Sequence, residues 1–312
     1  MRLTMCLLVF CTVSALSIPA TIYVPDDFPT IQLAVDAAAS GATIIVRPGT
    51  YYENLTISTK GCTLRSEMGP QTTIIDANGT GGVLSISKTQ GSGVTIDGFT
   101  IKNAATWYGG IFCGGCNAVL TNNIIIGNHV YPSQAGAGIE CNSCPKIVIA
   151  GNIIADNKVE IDPLGMGHGG AGIYARNCTN LIVTGNIFRN NTCVDDGAAL
   201  LIINSDAHIG SNIIVSNICW GWGGNDGYGA GIHFSSGTAS ITNNTIAGNS
   251  ALGAAGIYIG NTSATVLTNN TITNNDSHDV AGLICRESEV MIANTVFWDN
   301  TSTVHSAYEI SI

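Results

Sequence analysis

The sequence predicts an all-β chain wound as one right-handed parallel β-helix, a solenoid with a short N-terminal capping helix. Three observations lead there. A unit made of a Gly-rich loop, Gly-Ile-x-x, a small polar turn, an apolar strand and Asn-Ile/Thr-Ile-x-x-Asn starts at Gly110, Gly138, Gly172, Ala199, Gly231, Gly256 and Gly282, in coils of about 24 to 34 residues. Each unit closes on two asparagines five residues apart: Asn123/Asn128, Asn152/Asn157, Asn186/Asn191, Asn212/Asn217, Asn244/Asn249 and Asn270/Asn275, with Asn294 and Asn300 one residue wider. Between them lie only short β-branched runs such as Ala-Val-Leu-Thr at 118–121, with no helical spacing. A unit of this length cannot bury its apolar face alone, so the coils stack, and parallel crossovers are right-handed.

Taken in order, residues 1–17 read as an export signal. Arg2 is its positive end, Leu3 to Leu16 its apolar stretch, and cleavage falls between 15 and 20. The stretch is shorter than the roughly 20 apolar residues that span a bilayer, and no later stretch qualifies, so no membrane insertion is expected. Cys11 lacks the preceding small residue of a lipoprotein signal. The solenoid proper is expected over 21–312, with an N-terminal cap at 24–50 and repeats over about 80–312. Within the cap, apolar residues at helical spacing predict a helix over 30–39, with Thr30 as N-cap after Pro29 and Gly41 as its stop. Thr43-Ile44-Ile45-Val46 then forms the first strand. At the other end the chain starts another turn after Asn300 and stops at Ile312 in mid-strand, so the last rung offers bare apolar surface and strand edge. Self-association, or a missing downstream domain covering that rung, is the expectation.

The asparagines at fixed corners are expected to adopt the left-handed conformation and to stack their amides along the solenoid as a ladder. The surface must be built from Asn, Thr and Ser, because only 10% of the 312 residues are charged while 45% are hydrophobic and 38 are glycine. A formal net charge of -10 repels nucleic acid and anionic membranes, which excludes both as partners. Cys113-x-x-Cys116 and Cys141-x-x-Cys144 have zinc-like spacing. The repeat instead places Cys113 and Cys141 in one inward column and Cys116, Cys144 and Cys178 in the next turn's column. Stacked thiols, or an inter-rung disulfide such as Cys116 to Cys144, are expected there, with no metal and no cofactor.

Coil length varies almost wholly between the second Asn and the next Gly-Ile, so the long loops leave one corner, which in solenoids is often the binding face. These loops carry Asp162, His168, Asp195, Asp196, Trp220, Trp222 and Tyr228, and the outward column just after them carries Phe112, Glu140, Tyr174, His233 and Tyr258. Aromatic faces with polar edges, beside carboxylates that accept hydroxyl hydrogen bonds, suit a polysaccharide or cell-surface glycan. Glu140, Tyr174, Trp220, Trp222, Tyr228, His233 and Tyr258 are the candidate binding residues. The competing reading has Trp220 and Trp222 filling space under their own loops. Hydrolysis of a glycosidic bond needs two carboxyls about 5 to 10 Å apart, and Glu160/Asp162 and Asp195/Asp196 lie on loops of consecutive rungs. Asp162, His168, Asp195 and Asp196 are the catalytic candidates. A lyase would need more cations than the single Lys158 of these loops.

The segment TIQLAVDAAASGATIIVRPGTYYENLTI, residues 30–57, resembles the opening segment of the pectate-lyase-like superfamily, which pectinesterases and many surface β-helix proteins share. The resemblance implies the fold across nearly the whole mature chain and carries over no catalytic residue. Asp195-Asp196 and Gly167-His168-Gly169 are similar to two polygalacturonase motifs, but in reversed order and without that family's Asn-Thr-Asp and Arg-Ile-Lys elements. The leading expectation is an exported, extracellular or periplasmic β-helix that binds, and potentially hydrolyses, a polysaccharide along its loop-bearing edge. The alternative is a non-catalytic surface or adhesive module. Ice binding ranks last, because the best threonine column is broken at Ala150, Gly210 and Ala293. Circular dichroism is expected to show β-structure with little helix, and helix above roughly a quarter would contradict the fold.

Overall fold

The computed structural model describes residues 21–58, 60–87, 93–106, 108–131, 135–160, 169–221, 227–262, 264–304 and 309–311. The signal segment lies outside them. Every strand pairing among the described residues is parallel, and the strands fall into sheets of 19, 10 and 8. One coil illustrates the path. Ile139–Asn142 and Lys146–Ala150 lie in the 19-stranded sheet, which receives two strands per coil. Ile153–Ala155 lies in the 10-stranded sheet, and the two-residue strand Lys158–Val159 in the 8-stranded one. Alternate side chains turn inward, so Ile139, Cys141, Ile147, Ile149 and Ile154 are fully buried. The same columns repeat from coil to coil as stacked isoleucine, leucine and valine. The parallel register extends N-terminal of the visible repeat, since Thr21–Val24 pairs with Thr43–Val46, and that strand with Thr63–Ser66.

The corners explain the asparagines. Asn186 Oδ1 accepts from Asn152 N (2.9 Å) and from Asn152 Nδ2 (3.0 Å), while Asn186 Nδ2 donates to Ile149 O (2.9 Å) and to Asn212 Oδ1 (3.0 Å). This pattern runs along two ladders, from Asn123 to Asn270 and from Asn128 to Asn300. Two details differ from expectation. The ladder asparagines are not left-handed; the residue before each one is, as at Asn122 (φ 55°), Gly151 (66°), Asn190 (56°) and Asn243 (57°). That residue makes the bend, and the asparagine after it satisfies the buried amide the bend exposes. At the last corner the ladder position is Thr295, not Asn294: Asn270 N donates to Thr295 Oγ1 at 3.4 Å, and Asn294 takes the left-handed place (φ 50°).

At the N-terminal end, helix α1 (Ile31–Ala37) lies over the first coils, with Ile31, Ala34 and Val35 buried. Thr30 caps it as expected, Oγ1 accepting from Leu33 N, but the helix stops at Ala37, before Gly41. Glu53 is a second cap that the spacing did not reveal, accepting from Ile31 N and Gln32 N at 2.8 and 2.9 Å. Gln32 pairs with the open edge of strand Leu55–Ser58: its Oε1 accepts from Thr56 N and its Nε2 donates to Thr56 O. The edge amides are thereby satisfied at the place where the solenoid begins.

Cys113 stacks against Cys141 as expected; Cys193 against Cys219 is a second stack that the sequence reading did not single out, and no disulfide joins the nine described cysteines in this structure. Among the described residues no three His, Cys, Asp or Glu side chains gather to hold a metal ion, and no helix is long and apolar enough to cross a membrane.

The ladder yields a stability prediction. Asn186→Ala strands the buried Asn152 amides and should cost about 1–3 kcal/mol, or several degrees of melting temperature. Asn190→Gly keeps the left-handed bend and removes only an exposed side chain with its solvent-facing hydrogen bond to Asp156 Oδ1, so it should leave the melt nearly unchanged. Thermal denaturation followed by circular dichroism separates the two.

Candidate functional site

The outward position of each coil's first strand forms one column in direct register: Phe112, Glu140, Tyr174, Leu201, His233, Tyr258, Ile284. These side chains are partly covered because the returning loop folds over them. Four residues before Glu140, Gly136 adopts φ 74°, and a Cβ there would sit 2.7 Å from Glu140 Cβ. Gly229, at φ 67°, stands likewise above His233. Only glycine provides both that conformation and that clearance. Beneath the loops Ala137, Ala171, Ala198, Ala230 and Ala255 pack with Val130, Val159, Cys193, Cys219 and Ala251 in a second core, which fixes where each loop returns.

Three loops and two strands meet around Asp196. Its Oδ1 accepts from Tyr228 N at 2.6 Å, its backbone carbonyl accepts from Gly170 N at 2.9 Å, and its Oδ2 lies 3.5 Å from His233 Nδ1. The Tyr228 and Tyr258 rings are tilted with centroids 5.0 Å apart, and Tyr258 is 4.6 Å from the His233 ring. The Arg286 guanidinium stands 5.0 Å over Tyr228. Burial, reinforced by Asp196, pushes the Asp195 carboxyl up to about 6, against the pull of His233. Burial raises the Tyr258 hydroxyl too. Farther along the column Glu140 is only 9% exposed, and burial alone pushes it up to about 7. Among the described residues neither Glu140 Oε2 nor His233 Nδ1 has a hydrogen-bond partner, although both are buried.

Asp195, Asp196, Tyr228, His233 and Tyr258 therefore share one cluster. Glu140 and Tyr174 lie in the same column two to three rungs away, about 10–15 Å at the rise of a parallel sheet. Trp220 lies apart from the cluster, 61% exposed, in the wall of a cavity of about 410 Å³ with Lys158, Val159, Glu160, Thr192, Cys193 and Val194. Asp162, His168 and Trp222 lie outside the described residues. Glu160, the proposed neighbour of Asp162, forms an exposed ion pair with Lys158 at 2.7 Å. The sequence reading passed over Arg176 and Arg286, which stand two residues after Tyr174 and Ile284 of the outward column. Counting cations only in the loops hid them, whereas carrying the alternation two positions further would have found them.

The buried carboxyls set a pH dependence. Glu140 titrates near 7 in the folded chain against an ordinary 4.5, and Asp195 near 6 against 3.8, so the folded state binds these protons more tightly than the unfolded one. Their contribution is most favourable at low pH and is lost as pH rises through about 4 to 7. The melting temperature should fall by a few degrees between pH 5 and pH 8, and Glu140→Gln should recover part of that loss at pH 8 while changing little at pH 5. A lower melting temperature for Glu140→Gln at pH 8 would contradict the assignment.

With this geometry in hand, comparison with known proteins is informative about the fold. The family described as periplasmic copper-binding protein (NosD) matches residues 165–309. No curated protein matches the chain. Among solved structures, ORF18 of Geobacillus virus E2 is similar at 14% identity and TM-score 0.46, over 89% of this chain and 62% of that one, so the chain spans less than two thirds of the viral protein. YbhC of Escherichia coli is similar at 13% identity and TM-score 0.40, over 93% and 75%. A pectin methylesterase of Aspergillus niger is similar at 17% identity and TM-score 0.30, over 96% and 91%. The family described as right handed beta helix region matches residues 40–226, more than half of the sequence. The chain belongs to the right-handed β-helix family.

Proposed function

We propose that this is an exported β-helix protein that binds an extracellular polysaccharide along its loop-bearing edge. The observation that carries the reading is the cluster of Tyr228, His233, Tyr258 and Arg286 around Asp195 and Asp196, on a column that continues through Tyr174 to Glu140. Tilted rings, a guanidinium and carboxyls in one linear array offer stacking faces and hydrogen-bond partners to a chain of sugars. Trp220 adds an exposed flat face beside its cavity. Arg176 and Arg286 make acidic polysaccharides a reasonable first choice of ligand despite the net charge of -10.

If hydrolysis accompanies binding, Asp195 is the proton donor, because its carboxyl is held near neutrality. Asp196 is then a positioning residue, since it binds the Tyr228 amide and faces His233. That same engagement favours the second reading, a non-catalytic adhesive module in which Asp196 only ties loops together.

Calorimetric titration of neutral and uronate-containing polysaccharides, with a reducing-end assay on the same samples, tests both readings. Trp220→Ala and Tyr258→Ala should each weaken binding about fivefold, the loss of roughly 1 kcal/mol of stacking, with the melt unchanged. Asp195→Asn should abolish release of reducing ends and spare affinity if the protein is a hydrolase. Binding without product selects the module. Absence of binding, together with a much lower melting temperature for Tyr258→Ala, would make the cluster loop core.

A further inference from the structure

Two cysteines lie away from the turn column of the large sheet, in which Cys116, Cys144 and Cys178 contact one another from rung to rung. At the turns of the large sheet, Cys144 Sγ contacts Asn142 O at 3.5 Å and Cys178 Sγ contacts Arg176 O at 3.5 Å. Ser205 and Ser288 make the same bond to the carbonyl two residues back at that turn, so these thiols act as hydroxyl-like turn donors. Cys193 and Cys219 instead lie in the 8-stranded sheet, at the ends of strands Thr192–Cys193 and Ile218–Cys219, directly opposite each other. Their sulfurs are 3.0 Å apart, inside the about 3.5–4.0 Å of an ordinary nonbonded contact. Neighbouring strands sit about 4.8 Å apart, within the Cα separation a disulfide spans, and a bond of about 2.0 Å requires the sulfurs to close by only about 1 Å.

Their position gives the pair a consequence. Cys193 directly precedes the loop with Asp195 and Asp196, and Cys219 directly precedes Trp220 and the loop that returns at Tyr228. The two roots are already joined by Trp220 N donating to Cys193 O at 3.1 Å. Cys193 Sγ also reaches the Asp196 carbonyl at 3.5 Å.

We propose that Cys193 and Cys219 are joined by an inter-rung disulfide in the exported protein, a staple that holds the two loop roots where Asp196 meets Tyr228 and His233. The bond forms by exchange with a disulfide-bearing oxidant. Each protein thiol gives up its proton and one electron, the oxidant's S–S bond is cleaved, and two thiols of the oxidant leave. Burial and the neighbouring Cys219 keep the Cys193 thiol well above the usual range, so exchange is slow once the rungs have closed and the bond is made as these strands pair. The compartment in this inference rests on the export reading above; the sulfur geometry does not.

The test maps disulfides by mass spectrometry, with free thiols alkylated after denaturation. One sample is the full chain taken from an exporting host, and the other is the reduced chain refolded with oxidised and reduced glutathione. The expected result in both is a cross-linked peptide pair containing Cys193 and Cys219. Cys193→Ala with Cys219→Ala is the folded control, because the same column carries Val159 one rung before and Ala251 one rung after. Reduction of the wild type should speed amide exchange over residues 194–197 and 227–229 by about tenfold or more, while reductant should leave the double variant unaffected. Full alkylation of both cysteines in the glutathione sample, or a cross-link of either to a third cysteine, would overturn the pairing. A bond seen with glutathione but absent from the exported chain would overturn the staple as a native feature and count against export. A bond that leaves loop exchange unchanged would overturn its positioning role.

Discussion

A β-helix can turn its corners only if the amides exposed by each turn find partners in an interior without water, and in this chain the asparagine side chain meets that need. From Asn152 to Asn270 in one ladder and from Asn157 to Asn300 in the other, one Oδ1 takes both the backbone N–H and the Nδ2 of the asparagine one coil earlier. The division of labour within the corner is physical. A residue with little penalty at positive φ bends the chain, and the next one repairs the buried backbone. Where the ladder begins, the backbone amides of Phe99 and Ala104 supply the donors to Asn123 and Asn128, and where one ladder ends Thr295 supplies a hydroxyl.

Fixed corners force most of the length variation into the segment between the two-residue strand and the next coil, which carries no asparagine ladder. Loops placed there must still return to the same register, and the alanines under them set how closely they approach. Small residues at Ala137, Ala171, Ala198, Ala230 and Ala255 let the loop backbones stack as an extra partial layer, with Gly138 N bonding Ala171 O and Gly172 N bonding Ala198 O. The outward column of the first strand is thereby partly roofed, with Glu140, Leu201, His233 and Ile284 buried and Phe112, Tyr174 and Tyr258 half-buried.

That partial roof is what gives the cluster its electrostatics. Glu140 and Asp195 are raised by loss of water more than by neighbouring charge, and Arg286 stands over the Tyr228 ring. Holding buried carboxyls near neutral pH costs stability as pH rises. Among the described residues Glu140 Oε2 and His233 Nδ1 are buried without a hydrogen bond, His233 Nδ1 facing Asp196 Oδ2 at 3.5 Å.

The sequence by itself determined the winding of the chain. A period-two alternation broken by asparagines at constant spacing has one way to bury its isoleucines, and the inferred columns, Cys113 with Cys141 and Ala175 or Glu140 with Tyr174 and His233, are the columns observed. Local chemistry also named the N-cap at Thr30, because a cap needs only its own three following residues. What tertiary structure decided were the contacts between residues far apart in the chain. These include Glu53 capping α1 from 22 residues away, Thr295 replacing Asn294 in the ladder, Asp196 binding the Tyr228 amide across two loops, and Cys193 meeting Cys219. Strand register propagates from neighbour to neighbour and so is written in a repeat. The path of a loop depends on what it packs against, and no spacing along the chain records that.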